Sequence, residues 1–167
     1  MSEGETGLIV RPESGIRPLG QGASDTWHLL HDQQHTEIFS GGSAGPGKTF
    51  LLCLWEAVCA LKYAGTAGVL FRATAENLRK STMVTFFEVL TKMRLVAGEH
   101  YVFNEGKSIV TWCTGSTTQF DYLAYQPSDP NYSRLGGRAY TRAGIDEANE
   151  VEELAAAPGC DRNRVEV

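Results

Sequence analysis

A chain of 167 residues is long enough for one domain that buries about two-thirds of the surface its unfolded form exposes. Hydrophobic residues make up 42% and charged residues 21%, the balance of an ordinary soluble globular protein. The net charge of −5 argues against a chain-wide nucleic-acid-binding surface and leaves room only for a local basic patch. No apolar stretch approaches the roughly 18 residues of a membrane span. The polar, acidic start Met1-Ser2-Glu3-Gly4-Glu5 does not read as a secretory signal, and no membrane partner is expected; the expected compartment is the cytoplasm, consistent with cysteines that read as reduced thiols. Cys53, Cys59, Cys113 and Cys160 show no C-x-x-C spacing and read as reduced core thiols.

Residues 1–24 are rich in Gly, Ser and Pro and read as a flexible N-terminal arm. A short helix is expected within 23–35, with Trp27, Leu29 and Leu30 as its apolar face. His28, His31 and His35 share one side of it, but no carboxylate or cysteine cluster joins them, so they read as solvent-facing. A β-prone stretch at 36–40 then leads into Gly42-Ser43-Ala44-Gly45-Pro46-Gly47-Lys48-Thr49. That is G-x-x-x-x-G-K-T between a strand and a helix, the pattern and context of a phosphate-binding loop. Successive backbone N–H groups and a helix N-terminus make a concave anion site, and glycine lets the backbone approach the phosphates. Lys48 would meet the β- and γ-phosphates of ATP, and Thr49 would offer its hydroxyl to Mg²⁺. Pro46 removes one amide donor from the cradle.

The helix after the loop is expected over 48–63, closed by Gly65. Gly68-Val69-Leu70-Phe71-Arg72 is a compact strand, which completes a βαβ unit with parallel strands. Thr74 is an N-cap for a long amphipathic helix ending near Ala97-Gly98. Tyr101-Val102-Phe103 and Ser108-Ile109-Val110-Thr111-Trp112 form a hairpin around Asn104-Glu105-Gly106-Lys107. A strand at 119–123, a loop over 124–138 and a last strand at 140–145 follow. The fold class expected is α/β, with helices flanking a sheet.

A phosphate loop needs a carboxylate that holds the metal, and the usual place is the C-terminal end of a neighbouring strand. Asp146 fits, and Glu147 beside it suits the work of orienting and deprotonating a water for attack on the γ-phosphate. The competing reading is a surface acidic run, since Glu150, Glu152 and Glu153 follow. Arg72, Arg134 and Arg138 are candidates for stabilising transferred phosphate, with Arg72 placed to reach the nucleotide side of the sheet. Arg79-Lys80 could instead touch nucleic-acid phosphates.

Taken together, the loop at 41–49, Arg72, Leu78-Arg79-Lys80-Ser81, Ser133-Arg134-Leu135-Gly136-Gly137 and Ile145-Asp146-Glu147-Ala148-Asn149-Glu150 resemble the ATPase domain of tailed-phage terminase large subunits, the motors that pump DNA into procapsids. The resemblance runs from about residue 18 to 154. It implies a P-loop NTPase of the RecA-like, ASCE type, with a mostly parallel sheet and an inserted hairpin at 101–112. Residues 25–154 would form the ATPase domain, incomplete at its end, with an irregular tail at 155–167. By that resemblance Lys48 and Thr49 are the Walker A lysine and hydroxyl, Asp146 the Walker B aspartate and Glu147 the catalytic glutamate. The implied cofactors are ATP and Mg²⁺. The implied partners are double-stranded DNA, a terminase small subunit, a portal protein and further copies in a ring.

Three features depart from the family. Ala44 stands where many members carry an arginine, so an arginine finger would come from a neighbouring subunit's Arg134 or Arg138. The strand carrying the family's coupling motif is missing after Glu147, and so is the nuclease domain. A truncated nucleotide-binding or docking module is therefore one alternative, and a generic helicase or repair ATPase another. A small-molecule kinase is a weaker option, because the chain has no room for an acceptor pocket and lid.

Overall fold

The computed structural model describes Trp27, Leu30 and residues 47–129, 132–137 and 139–151. The expected arm, the strand at 36–40, the three histidines, the loop at 41–46 and the tail lie outside the described residues. Helix α1 spans Gly47–Lys62 and strand β1 Ala67–Arg72. A helical run follows in three parts: α2 (Ala75–Asn77), a π-helical turn (Leu78–Thr82) and α3 (Met83–Lys92). The hairpin strands are β2 (Tyr101–Asn104) and β3 (Ile109–Trp112); β4 is Thr117–Tyr122 and β5 Arg142–Ile145.

These strands form one mixed sheet in the order β2-β3-β4-β1-β5. Central β1 runs parallel to both β4 and β5, while β2–β3 and β3–β4 are antiparallel. Among the described strands, parallel pairing is thus confined to the half of the sheet that carries Arg72 and leads to Asp146. Strand β1 is buried on both faces, as its run Val69-Leu70-Phe71 requires. Leu70 joins Phe86, Val89, Leu90, Val110, Trp112 and Phe120 in a core under α1 and α3. Val69 and Phe71 point the other way, onto Leu123, Leu135 and Tyr140.

Two glycines let α1 lie close on the sheet. A β-carbon at Gly68 would overlap the Glu56 carboxylate, and one at Gly144 would come within 2.6 Å of Leu52 and 3.0 Å of Leu70. At its far end α1 leaves unpaired carbonyls, as every helix does. Thr114 Oγ1 donates to Ala60 O at 2.7 Å and Ser116 Oγ to Tyr63 O at 2.8 Å, so the β3–β4 turn caps the helix.

Several expectations from sequence hold with shifted edges. Thr74 caps α2, accepting from Asn77 N at 3.2 Å. The hairpin turns over Glu105–Lys107, but the residue in the left-handed region is Ser108 (φ 51°), not Gly106. The long helix does not reach Ala97-Gly98; it stops at Lys92. Arg94 takes a left-handed conformation (φ 59°), Arg94 N donates to Thr91 O and Leu95 N to Leu90 O, both at 2.9 Å. This is a Schellman ending with arginine where glycine is usual, and Leu95 packs back on the core as such endings favour. Of the cysteines, Cys53 and Cys59 are core thiols; Cys113 is exposed, because it opens the turn after β3 rather than facing the core. Cys160 lies outside the described residues.

Candidate functional site

The site is built at the C-terminal ends of β1 and β5, where the first turn of α1 meets them. Helix α1 opens at Gly47, so Lys48 and Thr49 occupy its first turn, at the positive end of the helix dipole. Strand β5 ends at Ile145, and the next residue, Asp146, is only 4% exposed. Its backbone is fixed by Asp146 N donating to Phe71 O at 2.9 Å, one further rung along β1.

The Asp146 carboxylate accepts three side-chain donors. Thr49 Oγ1 donates to Oδ1 at 2.8 Å across 97 residues of sequence. Thr82 Oγ1 donates to Oδ2 at 2.6 Å, and Arg72 Nη1 approaches the same oxygen at 3.3 Å. Arg72 also holds Glu150 through both carboxylate oxygens, Nε to Oε2 at 3.2 Å and Nη2 to Oε1 at 3.3 Å, and Asn77 Nδ2 reaches Glu150 Oε2 at 3.3 Å. Burial disfavours the Arg72 charge, but Glu150, Asp146 and Glu147 outweigh it and hold the guanidinium above its ordinary range. Conversely, the hydrogen bonds from Arg72 hold the Glu150 carboxyl below its ordinary value of 4.5, against a smaller cost of burial.

Glu147 takes a left-handed backbone conformation (φ 53°) and starts the 3₁₀ turn Ala148–Glu150. A non-glycine residue in that region is uncommon and marks a constrained bend. The bend ends the strand direction at Asp146 and turns Glu150 back onto Arg72. Among the described residues the Glu147 carboxylate makes no hydrogen bond. Cys53, on α1, donates its Sγ weakly to Thr82 O at 3.7 Å; burial first, then Asp146 and Glu56, push its thiol up, so it stays protonated and inert.

Of the residues expected at a nucleotide site, the fold brings Thr49, Arg72 and Asp146 into one constellation, with Lys48 and Glu147 beside them in sequence. Gly42, Ser43, Ala44, Gly45, Pro46 and Arg138 lie outside the described residues. Arg72 stands at the expected end of the sheet, yet its donors go to Asp146 and Glu150. Arg134 is engaged elsewhere: Nη2 donates to Tyr122 O at 2.9 Å and Ala124 O at 3.2 Å, Nη1 to Asp129 Oδ2 at 3.4 Å, and the guanidinium lies near the Tyr122 and Tyr132 rings. In this chain it staples the loop after β4. Arg79 lines a shallow 180 Å³ groove with Lys107 and Phe120, while Lys80 pairs with Glu76 at 2.6 Å. Sequence reasoning missed Thr82, since a threonine inside an amphipathic helix carries no signal. It also left Glu150 in an acidic run, where nothing in the spacing linked it to Arg72.

The donor set suits a hard cation. Mg²⁺ keeps several waters and takes one or two carboxylates plus substrate phosphates, and Thr49 with Asp146 offers a hydroxyl and a carboxylate of that kind. Among the described residues no cluster of three or more His, Cys, Asp or Glu forms a fuller metal cage, and no helix is long and apolar enough to cross a membrane. No family model matches the chain, and no curated protein or solved structure matches it.

Proposed function

We propose that this chain is an ATP-hydrolysing P-loop domain of the RecA-like, ASCE type that serves as the motor domain of a DNA-packaging terminase large subunit. The observation that carries the reading is the 2.8 Å hydrogen bond from Thr49 Oγ1 to Asp146 Oδ1. Thr49, the last residue of the G-x-x-x-x-G-K-T motif, meets an aspartate that follows a strand 97 residues later, the pairing of hydroxyl and carboxylate that a Mg²⁺–nucleotide site uses. In this reading Lys48 neutralises the β- and γ-phosphates, and Thr49 and Asp146 hold Mg²⁺, which when bound offsets phosphate charge. Glu147, whose carboxylate makes no hydrogen bond among the described residues, orients and deprotonates the attacking water. The loop at 42–47 supplies backbone amides. An arginine from a neighbouring copy, Arg134 or Arg138, completes the charge balance; Arg134 would first have to leave Asp129 and the Tyr122 carbonyl. The proposed partners are double-stranded DNA, a small subunit, a portal and further copies in a ring, in the cytoplasm of a phage-infected cell.

Measured ATP turnover decides between a motor and a module that only binds nucleotide or docks. The wild-type chain should hydrolyse ATP with Mg²⁺ and stop in EDTA. Lys48→Ala and Glu147→Ala should each reduce turnover by at least about 100-fold, the scale of removing phosphate-charge stabilisation or a general base. Lys48→Ala should also weaken ATP binding, whereas Glu147→Ala should leave it near wild type. Equal slow turnover in the wild type and Glu147→Ala would sink the hydrolytic reading and leave the binding module.

A further inference from the structure

The π-helical turn between α2 and α3 has a consequence for the site. Within it, Met83 N donates to Leu78 O, the widened i to i+5 bond that marks a π turn, and such turns recur at functional sites. The turn buries Thr82 completely, at 0% exposure, and carries it to the site. A threonine inside a helix ordinarily bonds its hydroxyl back to the carbonyl four residues earlier. Thr91, in α3, does so, donating to Phe87 O at 2.9 Å. Thr82 instead donates to Asp146 Oδ2 at 2.6 Å. The two oxygens of Asp146 are thereby divided. Oδ2 is occupied by Thr82 and Arg72, and Oδ1 faces Thr49.

We infer that Thr82 is a positioning residue that sets the orientation of the Asp146 carboxylate, so that Oδ1 is presented with the Thr49 hydroxyl to a divalent cation. The inference rests on the Mg²⁺–nucleotide reading above and adds to it a residue from an element outside the two motifs. Arg72 cannot replace Thr82 in this role. Its bond to Oδ2 is longer, and its other donors are committed to Glu150. Groups that orient a metal-binding carboxylate without touching the metal commonly change metal affinity by about 10–100-fold when removed.

The test is binding rather than turnover. Binding of a fluorescent ATP analogue to the full chain is followed while Mg²⁺ is titrated, with EDTA giving the metal-independent part. Thr82→Val keeps the volume and removes the donor; Thr82→Ser keeps the donor. Thr82→Val should raise the half-saturating Mg²⁺ concentration by about tenfold or more, leave binding in EDTA unchanged, and be rescued by Thr82→Ser. If Thr82→Val melts below the assay temperature, Thr82→Ala read against Thr82→Ser makes the same comparison. An unchanged Mg²⁺ midpoint in the variant lacking the hydroxyl overturns the inference while nucleotide binding stands. Equal shifts in the serine and valine variants overturn it too, because the hydroxyl is then not the agent. A wild-type chain that binds no nucleotide at all removes the underlying reading and the inference with it.

Discussion

Arg72 is the residue through which the acidic segment 146–150 is held, and its energetics follow from where its donors go. It is nearly buried and bonds Asp146 and Glu150 together, so two carboxylates separated by one helical turn share one guanidinium. Glu150 is the more exposed of the two, at 33% for its side chain, and its carboxyl is held below 4.5 chiefly by the Arg72 hydrogen bonds. A carboxyl whose folded-state value is lowered stabilises the fold above the unfolded value, and that stability is lost as pH falls through the folded value. The melting temperature should therefore drop as pH is lowered from about 5. Glu150→Gln should lower the melting temperature at neutral pH and make the acid decline shallower. The decline should not vanish, because Asp129 is also held low, by the backbone N–H groups of Arg134 and Ser133. Melting curves of both proteins between pH 3 and 7 check this; an identical acid limb in Glu150→Gln would show that Arg72 does not hold Glu150 in solution.

At the scale of elements, α1 and β5 are joined twice. At the site the joint is Thr49 to Asp146; at the opposite end of β5 it is Glu56 to Arg142. Glu56 is 0% exposed. Arg142 Nε donates to Oε2 at 2.7 Å and Nη2 to Oε1 at 3.0 Å, Thr118 Oγ1 donates to Oε1 at 2.5 Å, and Trp112 Nε1 satisfies the Thr118 oxygen at 2.9 Å. Burial pushes the Glu56 carboxyl up, and Arg142 and Thr118 pull it back toward the charged form. Such a pair adds little against a well-packed apolar replacement, but removing one partner strands the other. Glu56→Ala should cost about 3–5 kcal/mol by urea unfolding. It should also loosen the far joint, so that Thr49 and Asp146 are held less firmly. A cost below about 1 kcal/mol would mean that water reaches Arg142 freely.

The same two joints show what a sequence can and cannot carry. Thr49 and Asp146 were legible because each sits in a local pattern with a chemical reason: a glycine loop entering a helix, and an apolar strand ending in an acid. The helix, β1, the hairpin and the Thr74 cap were legible from periodicity and turn chemistry. Glu56 and Arg142 were not, since a glutamate in an apolar helix and an arginine opening a strand carry no mark of their partnership. Only the close approach permitted by Gly68 explains it, and that approach is a fact of the packed structure. The π turn is invisible for a related reason: one extra residue in a helical turn leaves the apolar pattern nearly intact. The helix ended early because Arg94 accepted the left-handed conformation that the pattern assigns to a glycine.

At the scale of the whole molecule, the two faces of the sheet are unequally covered among the described residues. One face carries α1, α3 and a buried cluster in which Phe86 is the centre. Its ring meets those of Phe87, Trp112 and Phe120 at 5.7, 6.2 and 5.1 Å, all edge to face. Phe86 thereby ties α3 to the hairpin and to β4 in one place. The other face has a buried group of Val69, Phe71 and Leu123, with Phe71 8% exposed and a Tyr140 ring 6.4 Å away. Removing a fully packed phenylalanine costs about 3–5 kcal/mol, and the cost grows with the cavity that cannot collapse. Phe86 is fully buried among the rings of Phe87, Trp112 and Phe120 and should sit at the upper end of that range. Phe71 is 8% exposed and packs on the loop residues Leu135 and Tyr140, so its site is less enclosed and its cost should sit at the lower end. Because a domain of this size holds only about 5–15 kcal/mol in total, Phe86→Ala should remove about a third or more of the stability and lower the melting temperature further than Phe71→Ala, which should still show a cooperative transition. The two transitions, followed by circular dichroism, test whether α1 and α3 carry the stability of the whole. If Phe71→Ala is the more damaging, the loop-covered face holds more of the fold than its described residues account for. The arginine staple at Arg134 would then be a structural requirement that no finger role could release.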